Sequence, residues 1–180
     1  MTGGRFPAGG VIHAQSAASE RRRGQQGFTL VEIMVTIAII GMVSMIAIPA
    51  FSNSMLSGKL ASIANSFASS AQLARSEAIK RNGTVSLCAS SNGSSCSGGW
   101  TDGWIVLAGS SVISAQPALP SGFQMTGNAT DIQFKSTGLV DTCTSLTLKK
   151  TSDNSQQRVL TISTTGRPKI EKTTATGCGA

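Results

Sequence analysis

The sequence predicts an α+β chain: one long N-terminal helix, membrane-spanning in its first half and amphipathic in its second, packed on an antiparallel β-sheet domain. Three observations predict it. An apolar run fills Leu30 to Ile48, interrupted by a single carboxylate, Glu32. Apolar residues then recur at spacings of three and four from Leu56 to Ala78. After Asn82 the texture changes to short alternating runs separated by Gly, Pro, Ser and Asn.

Residues 1–27 are rich in Gly, Ala, Ser and Arg and end in "ERRRGQQG". No fold is expected there, and Met1 to Ser19 reads as an upstream start-site artefact in part. The basic run Arg21–Arg23 beside an apolar span holds that end in the cytoplasm by the positive-inside rule. A helix rises about 1.5 Å per residue, so Leu30 to Ile48 matches a hydrocarbon core of about 30 Å. A cleaved secretory signal is the competing reading. The run is long for one, and no small-residue cleavage site follows it.

From Ser52 to Arg81 the pattern is that of an amphipathic helix. Leu56, Leu60, Ile63, Phe67, Ala71, Ala74 and Ala78 form one stripe, with Ser, Asn, Lys and Arg elsewhere. "RNG" at 81–83 reads as a stop, with basic residues in the last turn and a glycine after it. One helix from about Phe28 to Arg81 follows, with a kink expected at Pro49 because proline lacks the backbone donor. The organisation is thus 1–27, 28–50, 51–82 and a β-rich domain at 83–180.

That domain carries "TVSLCA", "GWIVLAG", "DIQFKS", "SLTLKK" and "RVLTIST", read as five to seven strands packed on the helix stripe. Trp100 and Trp104 are expected at that interface or beside the first hairpin. The four cysteines are Cys88, Cys96, Cys143 and Cys178. They form no zinc pattern, since there is no CxxC pair and the sole histidine is His13. On the far side of a membrane segment an even count reads as two disulfides, with four free thiols as the cytosolic alternative. Three pairings are open, and the nearest neighbours in sequence, Cys88–Cys96 and Cys143–Cys178, are preferred.

The chain has 15 Lys and Arg against 8 Asp and Glu. Part of that excess sits before Phe28, so the remainder is only mildly basic and does not announce nucleic acid. The later carboxylates, Glu77, Asp102, Asp131, Asp141, Asp153 and Glu171, are scattered singly. Acid–base or nucleophilic catalysis needs paired groups, so no enzyme is expected, and no cofactor, metal or small-molecule substrate.

"GFTLVE" after a basic leader, then an apolar span closed by "IP", resembles the N-terminus of type IV prepilins and type II secretion pseudopilins. "AQLARSEAIKRNGTVSLC", "GGWTDGWIVL" and "STTGRPKI" resemble the FimT/GspH family of minor pilins and H-type pseudopilins. Together these cover Gly27 to about Cys178. The resemblance implies a type IV pilin-like fold and a single-pass protein of the bacterial inner membrane. Its N-terminus would be cytoplasmic, its domain periplasmic, and both would pass into an extracytoplasmic filament. It implies cleavage by a membrane aspartyl prepilin peptidase between Gly27 and Phe28, with methylation of the new Phe28 amine. The partners implied are other pilins or pseudopilins in that filament.

A carboxylate deep in a bilayer costs about 2.5–3.5 kcal/mol on insertion scales, so Glu32 needs a partner. A neighbouring subunit's Phe28 amine, brought level by an axial stagger, is the expected one, and the pair would set register. Snorkelling of Glu32 to the interface is the alternative for the resting monomer. In the FimT branch a C-terminal glycine–arginine–x–basic motif is associated with DNA uptake. Gly166, Arg167 and Lys169 match it, with Lys where Arg is common. Both cations are expected on an exposed turn stiffened by Pro168, with Lys149, Lys150, Arg158 and Lys172 widening the patch. A solvated hairpin turn is the competing reading. No aromatic is interleaved, so binding would be independent of sequence.

Overall fold

The structure, a computed structural model, describes residues 27–172 and Cys178, without the side chains of residues 48–50, 153 and 154. The leader, its arginine run and the tail at 173–177 lie outside the described residues. The kink expected at Pro49 does too, although the helix assignment continues across that position.

Helix α1 runs over Leu30–Arg81, 52 residues. Thr29 caps it: the Glu32 backbone N–H donates to Thr29 Oγ1 at 3.2 Å, and the Ile33 N–H to the Thr29 carbonyl at 3.2 Å. A threonine just before the first turn satisfies one of the donors that a helix start leaves orphaned. At the far end Asn82 adopts φ 49°. The Asn82 N–H returns to the Ile79 carbonyl, and the Gly83 N–H to that of Ala78, at 3.2 and 3.1 Å. This is a Schellman stop in which asparagine, not the expected glycine, takes the left-handed position.

The stripe on α1 is buried as its periodicity requires. Leu60, Ile63, Ala64, Phe67, Ala71, Ala74 and Ala78 join the core, and Leu56 packs at its edge. Alanine in the last turns lets the sheets approach the helix closely.

Among the described residues eight strands complete the domain, one more than the upper expectation. They are β1 (Val85–Ala89), β2 (Trp104–Ala108), β3 (Ser111–Gln116), β4 (Phe123–Gly127), β5 (Asp131–Phe134), β6 (Thr144–Lys150), β7 (Asp153–Ile162) and β8 (Pro168–Glu171). They form two four-stranded antiparallel sheets, ordered β3-β2-β1-β5 and β4-β6-β7-β8. The chain crosses between sheets three times, at β3 to β4, β4 to β5 and β5 to β6.

Both sheets contribute to one core with the helix. Leu87, Val106, Ile132 and Phe134 come from the first, and Met125, Leu146, Leu148, Leu160 and Ile162 from the second. Trp100, in a 3₁₀ turn, and Trp104 meet Phe67 edge-on, with ring centroids 5.4 and 5.6 Å away. Edge-to-face rings place the positive edge of one against the negative face of the other. Trp104 Nε1 donates to Ser70 Oγ at 2.9 Å, so the indole loses no hydrogen bond on burial.

Candidate functional sites

At the N-terminus, Phe28 and Glu32 are exposed, and a Cβ on Gly27 would meet nothing within 4 Å. Glu32 lies three residues after the Thr29 cap, in the first turn of α1. An anion there faces the positive end of the helix macrodipole. The side chains from Leu30 to Met42 are exposed around the whole helix circumference. This is an apolar surface with no burial of its own.

Two disulfides are formed. Cys88, buried on β1, bonds Cys96 across the loop Ser90–Ser95. That loop is also held by its own polar groups. Ser90 Oγ donates to the Ser95 carbonyl at 2.7 Å, and Asn92 Oδ1 accepts the backbone N–H of Ser94 and Ser95, both at 2.9 Å. Cys143, just before β6, bonds Cys178 at a sequence separation of 35.

The C-terminal motif divides. Gly166 is buried, with φ 71°, a left-handed conformation that glycine adopts without penalty. Its N–H donates to the Ser163 carbonyl at 2.8 Å. Arg167 is exposed on the turn. Lys169 is not on the turn: it lies within β8, opposite Thr161, and its ammonium pairs with Glu171 at 2.9 Å. Strand pairing takes up Pro168 and the three residues after it, so the turn is shorter than expected.

The proposed flanking cations do not widen this patch. Arg158 is buried and turned to the helix, its guanidinium donating to Ser57 Oγ at 2.9 Å. Lys149 and Lys150 occupy the end of β6 opposite Thr144, the residue that pairs with Ile162 next to the motif. At about 3.3 Å per residue they lie on the order of 15–20 Å along the strand. Lys172 follows Glu171, which pairs with Val159, and so also sits toward that far end.

Arg75 stands beside Arg167 instead. Together with Gln72, Ser76, Ile79, Gly166 and Pro168 they line a groove of about 470 Å³ between α1 and the turn. Arg75 is half-buried, and its Nε donates to the Gly138 carbonyl at 3.1 Å. No carboxylate is among the described residues that line the groove. Glu77, the nearest acid in sequence, is held by Arg81 at 2.7 Å and Lys80 at 3.5 Å. The Arg81 hydrogen bond, followed by the nearby ammonium and guanidinium charges, lowers the Glu77 pKa against the opposing effect of burial.

A family model described as "Type II transport protein GspH" matches residues 64–166, and one described as "Prokaryotic N-terminal methylation motif" matches residues 22–48. The chain belongs to the GspH family. Among curated proteins none matches. Among solved structures, the type IV minor pilin FimU of Pseudomonas aeruginosa is similar at TM-score 0.52 and 22% identity, covering 62% of this chain and 92% of FimU. The minor pseudopilin EpsH of the Vibrio cholerae type 2 secretion system gives TM-score 0.47 and 17% identity, covering 63% of this chain and 97% of EpsH.

The fold is therefore that of type IV pilins, and this GspH-family chain is a minor pilin or pseudopilin. Membership implies assembly with other pilins in a filament. The apolar N-terminal helix with its pilin-type motif fits membrane anchoring and an extracytoplasmic domain. Sequence reasoning missed three residues that shape these sites. Thr29 was readable, being a threonine three residues before a glutamate at a helix start. Arg75 and Gly138 were not, because their meeting depends on a contact across 63 residues.

Proposed function

We propose that this chain is a minor pilin of a type IV pilus, cleaved between Gly27 and Phe28 by prepilin peptidase and methylated on the Phe28 amine. Glu32 then pairs with the Phe28 amine of a neighbouring subunit and sets the axial register of the filament. Pro49 closes the segment that leaves the bilayer for the filament core. The observation that supports this reading is the methylation motif over residues 22–48, running directly into a capped apolar helix. Mass spectrometry of the mature chain tests it. A new N-terminus at methylated Phe28 is expected, and an unprocessed leader in peptidase-positive cells would reject it. Glu32→Ala should leave cleavage intact and lower recovery in sheared filaments.

A role in DNA uptake is part of the proposal, supported by the groove in which Arg75 joins Arg167. Two guanidinium groups without a carboxylate suit a phosphodiester, since each offers paired donors to phosphate oxygens. Binding would be non-specific, on the order of 10⁻⁴–10⁻⁶ M, and steeply salt-dependent. Titration of the full chain with duplex DNA at low salt should perturb Arg167, and Arg167→Gln should weaken binding more than Lys169→Gln, because Lys169 is already paired.

The description of the family model, type II transport, favours a second reading. In it the chain is an H-type pseudopilin in a pseudopilus that drives protein export across the outer membrane. The two readings share every residue role except the DNA groove. Deleting the gene separates them: loss of surface pili supports the first, and loss of protein secretion with pili intact supports the second.

A further inference from the structure

A second groove, of about 590 Å³, opens at the other end of the domain. Its apolar lining comes from Met55 and Leu56 on α1 and from Phe123 on β4, and Lys59 and Lys150 also line it. Phe123 and Lys150 are direct cross-strand partners. Lys150 shares a face with Leu146 and Leu148, two residues apart along β6, so the core-facing side of the sheet ends in a cation. Lys59 has no ion-pair partner among the described residues, Lys150 sits opposite Asp153 across the β6–β7 ladder, and no carboxylate is among the described residues that line the groove.

The position of the groove along the chain bears on its occupant. The apolar run ends at Ile48, and the groove begins at Ser52, about one helical turn later. Phe51, within this interval, and Met55, in the groove itself, are 68% and 63% exposed. Lys59 lines the groove together with Ser52, Met55 and Leu56, which lie one to two helical turns nearer the apolar run. An exposed aromatic, an apolar slot and two lysines in that order match the layering of a bilayer surface, from acyl boundary to phosphate.

We propose that this groove holds an anionic phospholipid of the extracytoplasmic leaflet while the subunit is still membrane-anchored. The phosphate is bound by Lys59 and Lys150, and the upper part of an acyl chain lies on Met55, Leu56 and Phe123. The inference rests on the membrane-anchored reading of the precursor. It identifies a lipid contact that has to be released when the subunit enters a filament.

The test is native mass spectrometry of the full chain released from nanodiscs of phosphatidylcholine alone or mixed with phosphatidylglycerol. A lysine at an anionic surface contributes about 1 kcal/mol, so two give a preference for retained phosphatidylglycerol of up to roughly 30-fold. Lys59→Gln and Lys150→Gln should each lower it about fivefold. Gly58→Trp should abolish retention by filling the slot, since a Cβ at Gly58 meets nothing within 4 Å and the helix tolerates it. Equal retention of both lipids, or a preference unchanged in the Lys59→Gln/Lys150→Gln double variant, would overturn the proposal. So would a dimer that Gly58→Trp disrupts, since the occupant would then be a second copy. Failure of the chain to enter either nanodisc would overturn the anchored reading itself, a result separable from the lipid preference.

Discussion

Gly166 is pressed so closely against Gly138 that a Cβ on Gly166 would overlap the Gly138 carbonyl oxygen. That same carbonyl accepts the Arg75 Nε hydrogen bond. The glycine of the C-terminal motif is thus a packing requirement that brings Arg167 alongside Arg75. Gly166→Ala is expected to destabilise the domain by at least about 1–2 kcal/mol, the cost of a side chain in the left-handed region, with the overlap added to it. Denaturant unfolding measures this. A variant as stable as the wild type would show that the turn can leave Gly138 freely.

Ser70 is buried and accepts the Trp104 indole hydrogen bond while donating to the Ser66 carbonyl at 3.0 Å. Ser70→Ala leaves the indole N–H buried without a partner, at a cost of about 1–3 kcal/mol. The Trp104 fluorescence maximum should move as the ring shifts to find a new acceptor. Ser66→Ala, which removes only a hydroxyl directed at its own helix, should cost much less.

The Cys88–Cys96 bond closes a loop already held by Ser90 and Asn92. Replacing both cysteines by alanine should cost about 2–3 kcal/mol in the chain-entropy view, less than a long loop would. Residual order in the Ser90–Ser95 loop is expected from its hydrogen bonds, readable as amide-exchange protection at Ser94 and Ser95. Complete loss of that protection would make the covalent link its sole support.

Glu77 gives the helix C-terminus a pH dependence. Its pKa is lowered from 4.5 in the folded chain, chiefly by the Arg81 hydrogen bond. The unfolded state therefore binds the proton more readily, and the stabilisation is complete above the unfolded value. It is lost as pH falls through the lowered folded value. Glu77→Gln should accordingly be less stable than wild type near neutrality, with the gap closing in acid. The effect is small, since the partners are solvent-exposed. A gap that persists at the lowest pH would point to packing and not to charge.

The sequence made the centre of the fold legible and left its margins obscure. The buried stripe from Leu60 to Ala78 and the strands β1, β2, β5, β6 and β7 each carry apolar residues at the period of their own backbone. The three strands that escaped notice, β3, β4 and β8, all lie at sheet edges. There one side makes no ladder and fewer residues need burial, so "SVISAQ" and "FQMTG" show little alternation. β8 opens on Pro168, which an edge tolerates. The N-terminal motif was legible because its residues are contiguous. The C-terminal groove was not, because Arg75 reaches it from a helix written 91 positions before Gly166.

The order of strands also constrains where the chain can be cut. β4 belongs to the second sheet but precedes β5, which completes the first. An N-terminal fragment that ends once the first sheet is finished therefore carries β4 without β6, its ladder partner. The hairpins β6–β7 and β7–β8 are local, whereas β1 must wait for β5 across β2, β3 and β4. Pairings over such separations form late, because loop-closure entropy opposes them. A chain emerging N-terminus first thus has no stable stopping point between its helix and Lys150. The sheet domain is expected to fold and unfold as one cooperative unit, out of reach of a protease that needs one half to open alone.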